Sequence, residues 1–152
     1  MTKEDFIAVA TVAAKASSAD SGFPPGVTVA QAALESAWGN SQLSRQAHNY
    51  FGIKAHGGLP WIELPTHEFE GGRLVRVPAR FARYESMEAC FADRDRLIAR
   101  LPFYKEARAC AGDPEGFLRA LARHWATDPK YAEKLLGTYR INGLDTLDRS
   151  ST

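Results

Sequence analysis

The stretch that decides the reading is "AQAALESAWGNSQLSRQAHNYFGIKA", residues 30 to 55. It holds one acidic side chain, Glu35, among small, apolar and amide residues. On a helical wheel at about 100° per residue, Ala30, Ala33, Leu34, Ala37 and Trp38 fill one arc. Gln31 and Glu35 fall just beyond its Trp38 edge. Glu35 therefore borders apolar surface, and partial desolvation there raises a carboxyl pKa. The negative end of the helix dipole, within a turn at the Gly39 stop, pushes the same way. A carboxyl that stays protonated near neutral pH is what a general acid requires. The competing reading is a solvated residue at the edge of an amphipathic helix.

Outward from this stretch the chain is mostly helical. A first helix is expected over residues 3 to 18, with Phe6, Val9, Ala10 and Ala13 at core spacing. "SGFPPG", residues 21 to 26, breaks it. The second helix runs from about Val27 or Thr28 to Trp38, and "SQLSRQA" makes a short third. The texture then changes. "WIELPTHEFEGGRLVRVPARFARY", residues 61 to 84, places Gly71-Gly72 between two β-rich runs, which is a hairpin signal. Pro65 and Pro78 suit edge strands or bulges.

Beyond the ribbon, Ser86 opens a helix to about Arg100, and "PFYKEARACAG" makes a shorter one. Asp113-Pro114 and Asp128-Pro129 each read as an N-cap followed by proline at the first helical position. Asn142-Gly143 closes the last helix. Roughly five to seven helices with one ribbon inserted mid-chain make a single α+β domain, with a cleft between helical body and ribbon.

Bulk properties narrow the function. The chain has 152 residues, 45% apolar and 24% charged, with a net charge of +1. That balance gives no case for nucleic acid or an anionic membrane as partner. No apolar run reaches the roughly 18 residues of a membrane span. "FIAVATVAA", residues 6 to 14, follows Lys3, Glu4 and Asp5, so it lacks the positive leader of a secretory signal. His48, His56, His67 and His124 show no ligand spacing, so no metal and no cofactor is expected. Cys90 and Cys110 read as small buried hydrophobes; a pair facing across a helical hairpin is the alternative. The arginines at 73, 76, 80 and 83 read as a solvated strand face.

The order of several blocks carries more than any one of them. "AQAALESAWGNS", "NYFGIKA", "THEFEGG", "ARFARYES" and "ATDPKYAEKL" together resemble the flagellar and autolysin type of bacterial endo-β-N-acetylglucosaminidase, glycoside hydrolase family seventy-three. The resemblance covers about residues 5 to 142. It implies a lysozyme-like fold and cleavage of peptidoglycan glycan strands. It maps the family's general acid to Glu35 and its second carboxylate, on the ribbon, to Glu68, with Glu70 as rival. Two carboxyls flanking the bond are what glycoside hydrolysis needs. The resemblance also maps a tyrosine near the acid to Tyr131, whose alternative is packing under the last helix. Trp125 takes the aromatic position ahead of "ATDP". Asn49 either binds an acetamido group or holds its turn. Phe51 either contacts the glycan or packs in the core, while Gly52 admits close backbone approach at the cleft floor.

Three places depart from the family pattern and bear on subsite preference. Ala37 stands where many relatives have glycine, His48 where many have asparagine, and His124-Trp125 replaces a small residue and tyrosine. The expected partner is the glycan strand, met as a monomer, with no nucleic acid and no membrane. Alternatives are an N-acetylmuramidase, a lytic transglycosylase or a non-catalytic glycan-binding module. The expected place of action is the cell wall or periplasm. With no leader visible, a phage-encoded protein, one delivered by another system, or a domain of a longer secreted protein would each account for it.

Overall fold

Thr2 sets the start of the first helix. Its hydroxyl accepts from Asp5 N–H at 3.0 Å, and Glu4 and Asp5 occupy the first turn, where the helix dipole favours negative charge. The computed structural model describes residues 1–149. α1 (Lys3–Ser21) runs three residues past the expected end and stops at Gly22, whose φ of 77° is left-handed. Phe6, Ala10, Ala13 and Ala14 are buried as the helical spacing predicts, but Val9 is exposed.

α2 (Pro25–Ser36) is the centre of the molecule. Gly26, Val27, Thr28, Val29, Ala30, Gln31, Ala32, Ala33 and Ser36 are all buried. The wheel placed Gln31 at the border of an apolar arc; it is in fact fully enclosed. The reason is side-chain size. Alanines and valines on every face let α1, α7 (Tyr131–Ile141) and the 3₁₀ turn 144–148 pack around the helix. A helix hydrophobic all round has no solvent face, and its polar groups need partners inside the protein.

The start of α2 shows this constraint. Pro24 offers no side-chain cap. Asp148, from the far end of the chain, replaces it: its carboxylate accepts from Gly26 N–H at 2.6 Å and Val27 N–H at 3.1 Å. The Tyr139 hydroxyl donates to the same group at 2.8 Å. Gly26 is required for this approach, because a Cβ there would lie 2.2 Å from the Leu144 carbonyl oxygen.

α2 ends earlier than expected. Ser36 is its last residue, and Ala37, Trp38 and Gly39 follow with φ of 50°, 59° and 78°. Trp38 packs edge-on against Phe6 at 6.1 Å, with the Lys3 ammonium over its ring. α3 (Gln42–Ala47) is capped by Ser41 and ends on His48, also left-handed at φ 49°. Two of the departures from the family pattern, Ala37 and His48, are therefore positions where backbone conformation sets the preferred residue.

β1 (Trp61–Glu70) and β2 (Arg73–Ala82) pair antiparallel across Gly71-Gly72. Pro65 faces Pro78 in the register. A two-stranded ribbon has two free edges, so prolines whose missing N–H points outward remove no ladder bond. α4 (Met87–Arg100) begins at the Ser86 cap, and α5 (Lys105–Ala109) follows a 3₁₀ turn over 102–104. α6 (Pro114–Trp125) begins at the Asp113 cap, as expected. Asp128-Pro129 does not open α7. It shapes a turn, Asp128 accepting from Lys130 N–H at 2.9 Å, and the helix begins at Tyr131. Cys90 is buried and Cys110 half-buried, both as free thiols.

Ala37 carries backbone strain, and because the residue is exposed its methyl group offers little packing in return. Left-handed geometry costs a non-glycine residue about 1–2 kcal/mol, partly offset by the greater unfolded-state freedom of glycine. Ala37→Gly is expected to stabilise the fold by up to about 1 kcal/mol, read by urea denaturation. A loss of stability would contradict the strain.

Candidate active site

Four segments converge on one groove of about 630 Å³. The end of α2 contributes Leu34 and Glu35, the loop after α3 contributes Gly52 and Lys54, the ribbon contributes Glu68 and Phe69, and residues 125–134 contribute Trp125, Thr127 and Tyr131. The volume is in the range of small-molecule and sugar sites, about 300–1,000 Å³.

Glu35 sits where α2 ends and the groove opens. It is only partly exposed. Burial raises its carboxyl above the usual glutamate range, and a hydrogen bond from the Tyr131 hydroxyl acts against that rise without cancelling it. Tyr131, at the first position of α7, is itself buried. Burial and the facing Glu35 carboxyl hold its phenol well above ordinary tyrosine. Gly52, at φ 68°, brings backbone close: a Cβ there would stand 3.7 Å from Glu35 Oε2.

Glu68 is held differently. Lys54 Nζ meets one of its oxygens at 3.1 Å, and the Thr127 hydroxyl donates to the other at 3.4 Å. The Phe69 N–H donates to the same Thr127 oxygen at 3.4 Å. The ribbon is thus tied across to the 125–131 segment beside Glu68. Glu70 is exposed next to the Gly71-Gly72 turn, opposite Arg73, and does not line the groove. Of the two candidate ribbon carboxyls, Glu68 and Glu70, it is Glu68 that shares the groove with Glu35.

The sequence of residues 11–144 matches the family described as Glucosaminidase: Mannosyl-glycoprotein endo-beta-N-acetylglucosaminidase. The chain belongs to this family. It is 36% identical over 138 residues to the peptidoglycan hydrolase FlgJ of Salmonella typhimurium, covering 87% of this chain and 44% of that protein. The chain therefore spans less than half the length of that relative. It is 31% identical, over 98% of its length, to a probable N-acetylmuramidase of Lactococcus lactis, of which it covers 36%. The crystal structure of a peptidoglycan hydrolase mutant from Sphingomonas sp. A1 superposes with a TM-score of 0.82 at 34% identity, covering 94% of this chain and 96% of that one. The mostly helical, lysozyme-like fold with one hairpin is the class expected from the sequence.

Glu35, Glu68, Tyr131 and Trp125 all line this one groove. Trp125 is fixed by its indole N–H, which donates to the Phe51 carbonyl at 3.2 Å. Phe51 lies in the wall, but it is 1% exposed and packs on Phe91 at 5.0 Å, so its ring belongs to the core. Asn49 is the clearer correction. It is buried and does not line the groove. Its Nδ2 donates to the Ile53 and Ala82 carbonyls, both at 2.9 Å, and its Oδ1 accepts from Phe51 and Ile53 N–H at 3.3 and 3.1 Å. It holds the glycine loop against the ribbon base and has no capacity left for a sugar. Sequence reasoning missed Lys54 and Thr127, whose partners lie on the ribbon. It also missed Gln31 and Arg94, which stand behind Tyr131 (below). Among the described residues, no group of three or more His, Cys, Asp or Glu side chains converges as a metal site needs, and no helix is long and apolar enough to cross a membrane.

Asn49→Ala would strand buried loop N–H and carbonyl groups. The expected cost is about 2–4 kcal/mol of unfolding free energy, measured by urea denaturation. A cost under about 1 kcal/mol would mean that the loop holds itself.

Proposed function

We propose that this chain is a peptidoglycan hydrolase that cleaves a β-1,4 bond of the glycan strand as an endo-β-N-acetylglucosaminidase. The observation that carries this reading is Glu35: a half-buried carboxyl with a raised pKa, in an open groove that also holds a second carboxylate. Family membership and the peptidoglycan hydrolase FlgJ as a relative support the substrate class.

In this reading Glu35 enters the reaction protonated and gives its proton to the glycosidic oxygen as the bond breaks. The hydroxyl of Tyr131 then hydrogen-bonds to the carboxylate left behind. Glu68, steadied by Lys54 and Thr127, assists the attacking water or balances the positive charge developing on the sugar. Trp125, locked on the Phe51 carbonyl, offers a ring edge or face to the sugar at the groove wall. The protein meets the glycan outside the cytoplasmic membrane, as a monomer, without cofactor.

A second reading has a specific basis. The similarity to a probable N-acetylmuramidase extends over nearly the whole chain. Digestion of purified peptidoglycan, with reduction and mass spectrometry of the fragments, separates the two. Reduced N-acetylglucosamine ends are expected. Reduced N-acetylmuramic acid ends would establish the muramidase reading, and the absence of any released fragment would remove both.

Glu35→Gln should lower turnover by about 10²–10⁴-fold. The sign of its effect on stability follows from linkage. A carboxyl whose folded pKa is raised stabilises the fold below its unfolded pKa and loses that contribution as pH rises through the folded one. The variant should therefore be at least as stable as the parent at neutral pH by thermal melting. Activity of the parent should fall on the alkaline side as Glu35 ionises. Glu68→Gln should be less severe than Glu35→Gln, and Glu70→Gln close to the parent. Near-parental turnover in Glu35→Gln refutes the assignment.

A further inference from the structure

Tyr131 is useful to Glu35 only if its single O–H points at the carboxyl. A phenol hydroxyl rotates freely about its C–O bond, so something must select that direction. The selection lies in a chain of buried groups behind it. Gln31, fully buried on α2, donates from Nε2 to the Tyr131 oxygen at 3.3 Å. Arg94, fully buried on α4, donates from Nε to Gln31 Oε1 at 3.0 Å.

The chain has one consistent direction. A guanidinium has donors and no acceptor, so the Gln31 oxygen must face Arg94 and its amide nitrogen must face Tyr131. That nitrogen is also donor-only. The Tyr131 oxygen must accept from it, and its own proton is left to point into the groove that Tyr131 shares with Glu35. Arg94 is fixed in turn: its Nη1 donates to Thr28 Oγ1 and to Asp95 Oδ1, both at 2.8 Å, and Ser21 donates to Asp95 Oδ2 at 2.7 Å. The Arg94 guanidinium also lies over the Phe51 ring at 5.5 Å.

We propose that Arg94 and Gln31 are positioning residues that force the Tyr131 hydroxyl to donate to the catalytic acid. The inference rests on Glu35 being that acid. A one-way donor chain ending on a carboxyl favours its charged form, so it sets how readily Glu35 releases its proton. The fixed guanidinium acts through two intermediaries, while the substrate groove never touches it.

The test reverses the chain at one atom. Gln31→Glu is isosteric and keeps an acceptor for Arg94, but it replaces the Nε2 donor with an oxygen. The Tyr131 hydroxyl is then drawn to residue 31 and away from Glu35. Turnover on purified peptidoglycan should fall about tenfold in Gln31→Glu and similarly in Tyr131→Phe, while the double variant should be no more than about twofold below Tyr131→Phe. The alkaline limb of the pH–rate profile should move to higher pH in both single variants, because the bond that lowers the Glu35 pKa is lost. Besides Glu35 and Tyr131, the charged and titratable groups lining the groove, Lys54, His67, Glu68, Asp128 and Lys134, are unaltered in every variant.

Full activity in Gln31→Glu, or the same fold-loss in the Tyr131→Phe background as in the parent, would overturn the proposal. An unmoved alkaline limb would do so as well, since a merely structural role lowers the folded fraction without shifting it. Should Gln31→Glu fail to fold, Gln31→Met carries the same cycle without the added charge. Either failure would leave the role of Glu35 standing on its own variant.

Discussion

Every part of the site depends on the enclosure of α2. A helix buried on all faces has only its ends to offer to solvent, and each polar side chain along it must be satisfied within the protein. Thr28, Gln31 and Ser36 are satisfied in this way: Thr28 and Gln31 by Arg94, Ser36 by the Ala32 carbonyl at 2.6 Å. Glu35 is the exception. It stands one residue before the helix stops, at the place where the packing opens into the groove. Its desolvation follows from its address on the most buried helix of the protein, and so does its supply of hydrogen-bond partners.

Glu35 and Glu68 sit in different surroundings because the elements that carry them differ. Glu35 is on the rigid core and meets a neutral hydroxyl, so burial dominates its ionisation. Glu68 is on a two-stranded ribbon and meets a lysine ammonium and a threonine hydroxyl. Burial favours the protonated form of Glu35, the form a proton donor needs. The contacts at Thr127 that tie the ribbon to the opposite wall are long, at 3.4 Å, and exposed. Such exposed contacts contribute little individually.

Much of this was legible in the chain. The hairpin was visible because Gly71-Gly72 separates two β-rich runs, and the Ser86 and Asp113 caps because their local chemistry is self-contained. The ordered blocks, rather than any single residue, point to Glu35, Glu68 and Tyr131, which share one groove in the structure. What failed was whatever depended on distant partners. The wheel assumed one apolar face on α2, but small residues on every face bury it whole, and so Gln31 was misplaced. Ala37 and Trp38 continue the helical pattern of the sequence, yet the backbone there has already turned left-handed. Asp148 caps a helix more than a hundred residues away, which no local rule reveals. Arg94 lies in "ADRDR", where charge density suggests solvent. The usable signal was its spacing from Phe91 and Ile98, which places it on the buried face of α4.

The most direct test is a titration of the Glu35 carboxyl itself, by carbon-detected NMR of selectively labelled protein, with Glu35→Gln to assign the resonance. The account requires a midpoint clearly above the ordinary glutamate value of about 4.3, rising further when Tyr131 is replaced by phenylalanine. A midpoint at or below that value, unmoved by the tyrosine substitution, would show a solvated carboxylate at position 35 and contradict it.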